Sequence, residues 1–245
     1  ELIHAVEDLG FDTPTPIQEM MIPPILHEPG DVIGLAHTGT GKTAAFGLPL
    51  IQKLDIGSPH PQALILCPTR ELCLQISKEL ELYGKHIRGF SVTPIYGGDS
   101  YEKQLQALKR RPQIIAATPG RLIDLLERNR VDISRIRFLV LDEADIMLNM
   151  GFKEEIDTIL ESTPVEKQTI LLSATMPDEV ARIADTYMQD PLELSDGTKN
   201  TGTLQVDHHY YTVRRNDKYQ ALKRIVDFHP DIYGIVFCRT RAGAQ

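Results

Sequence analysis

Residues 31–54 read DVIGLAHTGTGKTAAFGLPLIQKL, and this stretch decides the fold. Residues 31–36, DVIGLA, are a nearly continuous apolar run with the length of one buried strand. Residues 43–54, TAAFGLPLIQKL, read as an amphipathic helix. Between the two lies AHTGTGKT, residues 36–43, whose last three residues are the tail of a phosphate-binding loop. A helix start offers unpaired backbone N–H groups and the positive end of its dipole to an anion. Gly39 and Gly41 let the backbone curl so that several amides face one phosphate. Lys42 adds a point charge for the terminal phosphates, and the Thr43 hydroxyl suits a magnesium ion. The usual pattern has glycine where this chain has Ala36. Alanine is harmless there provided it keeps a negative φ.

Working outward, the strand–turn–helix unit repeats. Further apolar runs stand at 62–68, 91–97, 113–119, 137–142, 168–174 and 191–195. Amphipathic segments follow at 70–85, 100–109, 120–129, 152–161 and 178–188, with a helix also starting near Thr15. Alternation of this kind predicts an α/β fold built on a doubly wound, mainly parallel sheet. Ligands of such sheets bind at the carboxyl ends of the strands, so residues with useful chemistry should fall just after strands. They do. Residues 195–205, SDGTKNTGTLQ, have turn-forming composition and no apolar period, which reads as a linker. Beyond it, 206–213 alternates like a strand, 217–229 is an amphipathic helix and 234–238 reads as another buried strand. The expected division is therefore a domain over 1–195, a linker over 196–205 and the start of a second α/β domain over 206–245. About 40 residues do not normally bury a core alone.

Composition is that of a soluble globular protein, 42% hydrophobic and 24% charged. No run approaches the ~18 apolar residues needed to span a bilayer, and the acids in ELIHAVEDLGFD argue against a signal peptide. Three cysteines without CxxC spacing argue against a disulfide framework and a zinc site. Cys67 and Cys238, in ALILC and GIVFC, read as small buried hydrophobes in a reducing compartment. His208 and His209 are adjacent on a strand-like run and would point to opposite faces, against shared metal ligation. Net charge is −8, yet residues 109–137 carry eight Lys/Arg against three acids, and 142–161 carry seven acids against Lys153.

A phosphate loop needs a partner for its metal. Residues 138–145 read FLVLDEAD. Asp142 emerges at the end of a buried run, where an unpaired carboxylate is costly and a shared cation with Thr43 makes it sensible. Glu143, on the next residue, can orient or deprotonate an attacking water.

AHTGTGKT followed by DEAD resembles the DEAD-box family of ATP-dependent RNA helicases, whose phosphate loop ordinarily begins with alanine. The family's other motifs stand in order: GFDTPTPIQ (10–18), PTREL (68–72), YGG (96–98), TPGR (118–121), SAT (173–175) and IVFCRT (235–240). The resemblance covers essentially the whole chain. It implies RecA-like domains and ATP with Mg²⁺ as cofactors. Ala36, His37, Thr38, Gly39, Thr40, Gly41, Lys42 and Thr43 would cradle phosphate, with Gln18 reading adenine and Phe11 packing near the base or loop. Thr43 and Asp142 would hold the metal, while Lys42, Asp142 and Glu143 carry catalysis. RNA would be held sequence-independently, through its backbone, by Pro68, Thr69, Arg70, Gly97, Gly98, Thr118, Pro119, Gly120 and Arg121. The basic region 109–137 would flank that groove. Asp145, Ser173 and Thr175 would couple nucleotide state to RNA.

The expected reaction is ATP hydrolysis that opens or remodels short RNA duplexes, in the cytoplasm, or in the nucleus of a eukaryote, with protein partners supplying targeting. The family's later motifs, which bring arginines to the γ-phosphate, are not in this sequence, and Arg239 and Arg241 are not replacements. Weak turnover is therefore expected of these residues alone, since an arginine finger is worth ~10³–10⁵ in rate. The alternative reading is a non-catalytic platform that binds RNA or protein.

Overall fold

The computed structural model describes residues 1–37, 39–195, 207, 209–238, 240 and 243. The chain divides into two compact units, Glu1–Thr201 and Gly202–Gln245. The expected linker at 196–205, and also Thr38, His208, Arg239 and Arg241, lie outside the described residues.

The first unit opens with α1 (Leu2–Asp8) and α2 (Pro16–His27), and then alternates regularly. Its elements are β1 (Val32–Leu35), α3 (Lys42–Lys53), β2 (Ala63–Leu66), α4 (Arg70–Tyr83), β3 (Val92–Ile95), α5 (Tyr101–Leu108), β4 (Ile114–Ala117) and α6 (Pro119–Glu127). There follow β5 (Phe138–Leu141), α7 (Ala144–Asn149), α8 (Lys153–Glu161), β6 (Gln168–Ser173), α9 (Asp178–Tyr187) and β7 (Leu192–Ser195). The seven strands form one sheet in the order β3-β4-β2-β5-β6-β1-β7. Every pairing is parallel. This is the doubly wound sheet of the sequence reading, parallel throughout. Two short helices were not foreseen: α1, and α7, whose six residues are too few to show a period.

Both faces of the sheet are buried, which is why its strands lack polar alternation. Along β2 and into the following residue, Ala63, Ile65 and Cys67 enter one core with Ile17, Met21, Phe46 and Ile76. Leu64 and Leu66 enter the other, with Leu122, Met147, Ile156 and Val180. Helices α2, α3 and α4 thus cover one face, and α6 to α9 the other. Gly47 permits close contact of α3 with α4, because a Cβ there would lie 2.5 Å from the Leu80 side chain. Asp31 ties the amino end of β1 to its neighbours, accepting from Thr169 N at 2.6 Å and Gln189 N at 2.7 Å. Cys67 and Cys73 are free and buried. Hydrogen bonding with Cys73, then burial, pushes the Cys67 thiol far up, as befits an inert packing residue.

In the second unit the expected helix is present as α10 (Lys218–Phe228), after a 3-10 turn at Arg215–Asp217. The two expected strands are not. Residues 209–213 and 234–238 have no strand structure, and Ile235 and Phe237 are 81% and 90% exposed. Cys238 is likewise exposed rather than buried. The reason is physical: a strand exists only as a member of a ladder, and no partner strand occurs among the described residues of this unit. An apolar run without a sheet has no core to enter.

Candidate functional site

Strand order gathers the motifs into two groups. The sheet places β5, β6 and β1 side by side, so the loops after them, carrying Asp142, Ser173 and residues 36–43, share one rim. It places β3, β4 and β2 side by side next to them, which brings together YGG, TPGR and PTREL.

Within the first group the turn after β1 has the shape its glycines predict. Gly39 and Gly41 take φ of 82° and 90°, and Lys42 begins α3. A Cβ on Gly41 would lie 2.4 Å from Gln18 Nε2, so this position needs glycine for space as well as for φ. Lys42 is 8% exposed, and its Nζ donates to the Ala36 carbonyl at 3.1 Å. Thr40 Oγ1 donates to the His37 carbonyl at 2.9 Å, while the His37 side chain is exposed.

The start of α2 braces this turn. Thr15 Oγ1 donates to the Thr40 carbonyl at 2.8 Å, and Gln18 Nε2 donates to the Gly41 carbonyl at 3.1 Å. Gln18 Oε1 accepts from Thr15 N, completing a capping box. Gln18, expected to read adenine, therefore also anchors the phosphate loop. Phe11 is half exposed and meets Tyr83 edge to face at 6.3 Å. Between these elements lies a cleft of about 440 Å³, lined by Phe11, Gln18, Gly41, Lys42, Thr43, Asp142 and Glu143. Its far wall comes from α4, through Gln75, Glu79 and Tyr83. Sequence reasoning missed this wall, since the α4 period marks an apolar face without saying what its flank overlooks.

Asp142 follows β5, 3% exposed, and its Oδ1 has no hydrogen-bond partner among the described residues. Burial pushes its pKa up to about 6, with Lys42 pulling the other way. An unpartnered buried carboxylate oxygen beside a helix-start hydroxyl, both facing one cleft, fits a hard divalent cation that prefers oxygen ligands. Ser173 Oγ, fully buried, also has no hydrogen-bond partner among the described residues. Glu143 stands at φ 53°, ψ 51°, the left-handed region, at the N-cap of α7. That costs an ordinary residue ~1–2 kcal/mol, and Glu143 lines the same cleft as Asp142. Asp145 Oδ2 accepts from Thr175 Oγ1 at 2.7 Å and from Thr175 N at 3.1 Å, joining the loops after β5 and β6.

In the second group, Thr69 caps α4, accepting from Leu72 N at 3.2 Å. Arg70 is exposed, lies over the Tyr96 ring at 4.9 Å and donates to the Gly98 carbonyl at 3.5 Å. Arg121 donates to the Asp99 carbonyl at 3.4 Å and lies 5.9 Å from the Tyr101 ring. Gly97, Gly98 and Gly120 are exposed, and Pro68, Thr118 and Pro119 are buried beneath them. Tyr96, Asp99 and Tyr101 hold the two arginines. Tyr96 stands in the YGG motif but was not among the expected RNA-binding residues, and nothing in the local sequence marks Asp99 or Tyr101. Tyr96 OH donates to Asp99 at 2.8 Å.

One expectation is corrected. Apart from Arg121, and from Arg128, whose guanidinium reaches the same Tyr101 ring at 5.6 Å, the cations of 109–137 do not flank this rim. Lys109, Arg110 and Arg111 lead into β4, and Arg130, Arg135 and Arg137 lead into β5, at the amino ends of the strands. In a parallel sheet those ends lie on the opposite rim, so a count along the chain placed them on the wrong side.

The parallel sheet, the glycine turn after β1 and the acidic strand end after β5 define a RecA-like α/β domain. The family model for DEAD/DEAH box helicases matches residues 15–183. The chain is 45% identical to ATP-dependent RNA helicase DeaD of Mycobacterium tuberculosis over 244 residues, covering all of this chain and 43% of that protein. It is 44% identical to DEAD-box ATP-dependent RNA helicase CshA of Geobacillus kaustophilus, covering 98% of this chain and 51% of the relative. The solved structure of a DEAD box protein from the hyperthermophile Methanococcus jannaschii superposes with a TM-score of 0.77 at 35% identity, covering 98% of this chain and 64% of that one. The chain belongs to the DEAD/DEAH box helicase family. It spans about half the length, or less, of the curated relatives it matches.

Proposed function

We propose that this protein is part of an ATP-dependent RNA helicase that hydrolyses ATP with Mg²⁺ and opens or remodels short RNA duplexes. One observation carries the reading: strand order sets the phosphate loop and Asp142–Glu143 on one half of a rim, and the PTREL, YGG and TPGR loops on the other half. ATP would enter the 440 Å³ cleft, its base toward Phe11 and Gln18 and its phosphates against the amides of residues 39–43. Lys42, resting on the Ala36 carbonyl, would exchange that contact for the terminal phosphates. Thr43 and Asp142 would hold Mg²⁺, which supplies charge neutralisation at the phosphates. Glu143 would orient water for in-line attack on the γ-phosphorus and take its proton as the bond to the leaving oxygen of ADP breaks.

Arg70 and Arg121, with the exposed glycine amides, would hold RNA by its backbone and so without sequence preference. The Asp145–Thr175 bonds tie the segments after β5 and β6 together within the nucleotide half, and through them nucleotide state would be passed on toward RNA. Among the described residues no helix is long and apolar enough to cross a membrane, and we assign the protein to the cytoplasm, with targeting left to protein partners. The domain division at 195 and 206 is proposed on the same footing, as is weak turnover by these 245 residues alone.

The test is ATP hydrolysis with and without single-stranded RNA, on this chain and on one extended to the relatives' full length. RNA should stimulate the extended protein strongly and this chain little, and Glu143→Gln should abolish turnover while nucleotide still binds. An extended protein that binds RNA yet never hydrolyses ATP faster would make it a binding platform instead.

A further inference from the structure

The cations displaced from the expected groove form a surface of their own. In the sheet, β3, β4, β2 and β5 are neighbours, so the segments leading into them lie side by side on the amino-end rim. These segments, 84–91, 109–113, 54–62 and 128–137, hold nine lysines and arginines and two acids, Asp55 and Asp132, in a chain whose net charge is −8. They are bonded to one another. Gln113 Nε2 donates to the Ile56 carbonyl at 3.2 Å, Ser91 N donates to Gln113 Oε1 at 2.9 Å, and Arg137 donates to Gln62 Oε1 at 3.4 Å. The rim is therefore a fixed platform rather than four loose loops.

Its acids are engaged locally, Asp55 by Gly57 N and Asp132 by Ser134 N. Of its nine cations only Lys85 and Arg128 have an ion-pair partner among the described residues, Asp8 and Asp124. Arg110, Arg130 and Arg135 are exposed and unpaired there. Seven unpaired like charges on one rim repel each other, and a folded domain that holds them together is complementary to a polyanion.

Two features favour a nucleic-acid backbone over an acidic polypeptide. Seven of the nine cations are arginine, whose planar fork matches phosphate oxygens in pairs. Beside Arg130 opens a hollow of about 420 Å³, walled by Leu126, Val131 and Ile133 and edged by Asn129, Ser134 and Asp132, whose carboxylate is held by Ser134 N. Apolar walls with an amide at the edge suit the flat face and hydrogen-bonding edge of an unstacked base. The Asn129 amide has no partner within the chain among the described residues.

We infer that the amino-end rim of the sheet, centred on Arg110, Arg130 and Arg135, is a second binding surface for single-stranded RNA, on the side of the domain opposite the PTREL and TPGR loops. This rests on the helicase reading for the choice of RNA as the polymer. A long strand could then be retained while the catalytic rim releases a product strand.

The experiment is fluorescence anisotropy of a 40-nucleotide oligouridylate on this chain across 50–200 mM salt. The triple variant Arg110→Glu, Arg130→Glu, Arg135→Glu should bind at least tenfold more weakly. Its log–log salt slope should be shallower by about 2, three lost phosphate contacts at ~0.7 each. Its thermal unfolding should stay near that of the parent. Unchanged affinity and slope overturn the inference, as does failure of the unsubstituted chain to bind the 40-mer. Displacement of the RNA by polyglutamate at equal charge concentration would assign the rim to an acidic polypeptide and also overturn it. A separate double variant, Arg70→Glu with Arg121→Glu, reports on the other rim. If only that variant leaves binding intact, the RNA assignment of the catalytic rim fails and this one stands.

Discussion

At the scale of single residues the site is built from groups the fold holds at a cost. Asp142 is ionised at neutral pH although burial lifts its pKa to about 6 from an unfolded value near 3.8. A raised native pKa means that the folded state binds the extra proton between those values. Stability is therefore full below 3.8 and is lost as pH rises through about 6, by roughly 3 kcal/mol for a shift of about two units. Asp142→Asn, measured without divalent metal, should unfold at a higher temperature than the parent at pH 8, with the gap closing toward pH 4. A gap independent of pH would mean that the carboxylate is not strained by burial. Gly41 is the other such residue. Gly41→Ala forces a side chain into φ 90° and displaces Gln18 from the Gly41 carbonyl. We expect a loss of about 1–3 kcal/mol and nucleotide binding weakened tenfold or more, read by calorimetry. Gln18→Ala should reproduce only the part due to the brace.

At the scale of elements, the fold is secured where strands begin as well as where they end. Asp31 reads in the sequence as the first residue of a strand, yet it accepts two backbone N–H bonds that lock β1 to β6 and to the turn entering β7. Asp31→Ala leaves both donors unpaired in a buried place and should cost roughly 2–4 kcal/mol in denaturant unfolding. Helices α2 and α3 run through Pro23, Pro24 and Pro49, each of which disfavours a helix interior by ~3 kcal/mol. Burial of Ile17, Met21, Ile25, Phe46 and Leu50 against the sheet outweighs that penalty. Propensity alone would have ended both helices early.

At the scale of the whole molecule the two units differ in kind. The first has seven paired strands between two cores. In the second, α10 has no buried residue, and 234–238 has no ladder. Hydrogen exchange should separate them sharply. Amides of β2, β4 and β5 should exchange only through global unfolding, and those of residues 234–238 at close to free-peptide rates. Protection of 234–238 comparable to β4 would contradict the unpaired state described above.

Read from the sequence alone, this protein already had its seven strands in the first unit, their parallel arrangement, and the phosphate loop and acidic strand end. Apolar runs, glycines before a helix and a carboxylate after a run are local signals, set by neighbours in the chain. What lay beyond reach was everything that depends on strand order. The α4 wall of the cleft, the hold of Tyr96, Asp99 and Tyr101 on two arginines, and the opposite-rim placement of the 109–137 cations all follow from which strand sits beside which. The unpaired state of residues 234–238 does too, since their apolar pattern is that of a strand and only a partner could make them one. Side-chain period reports which face is buried, while sheet order is settled by packing between segments far apart in the chain, and a sequence read residue by residue carries no direct record of it.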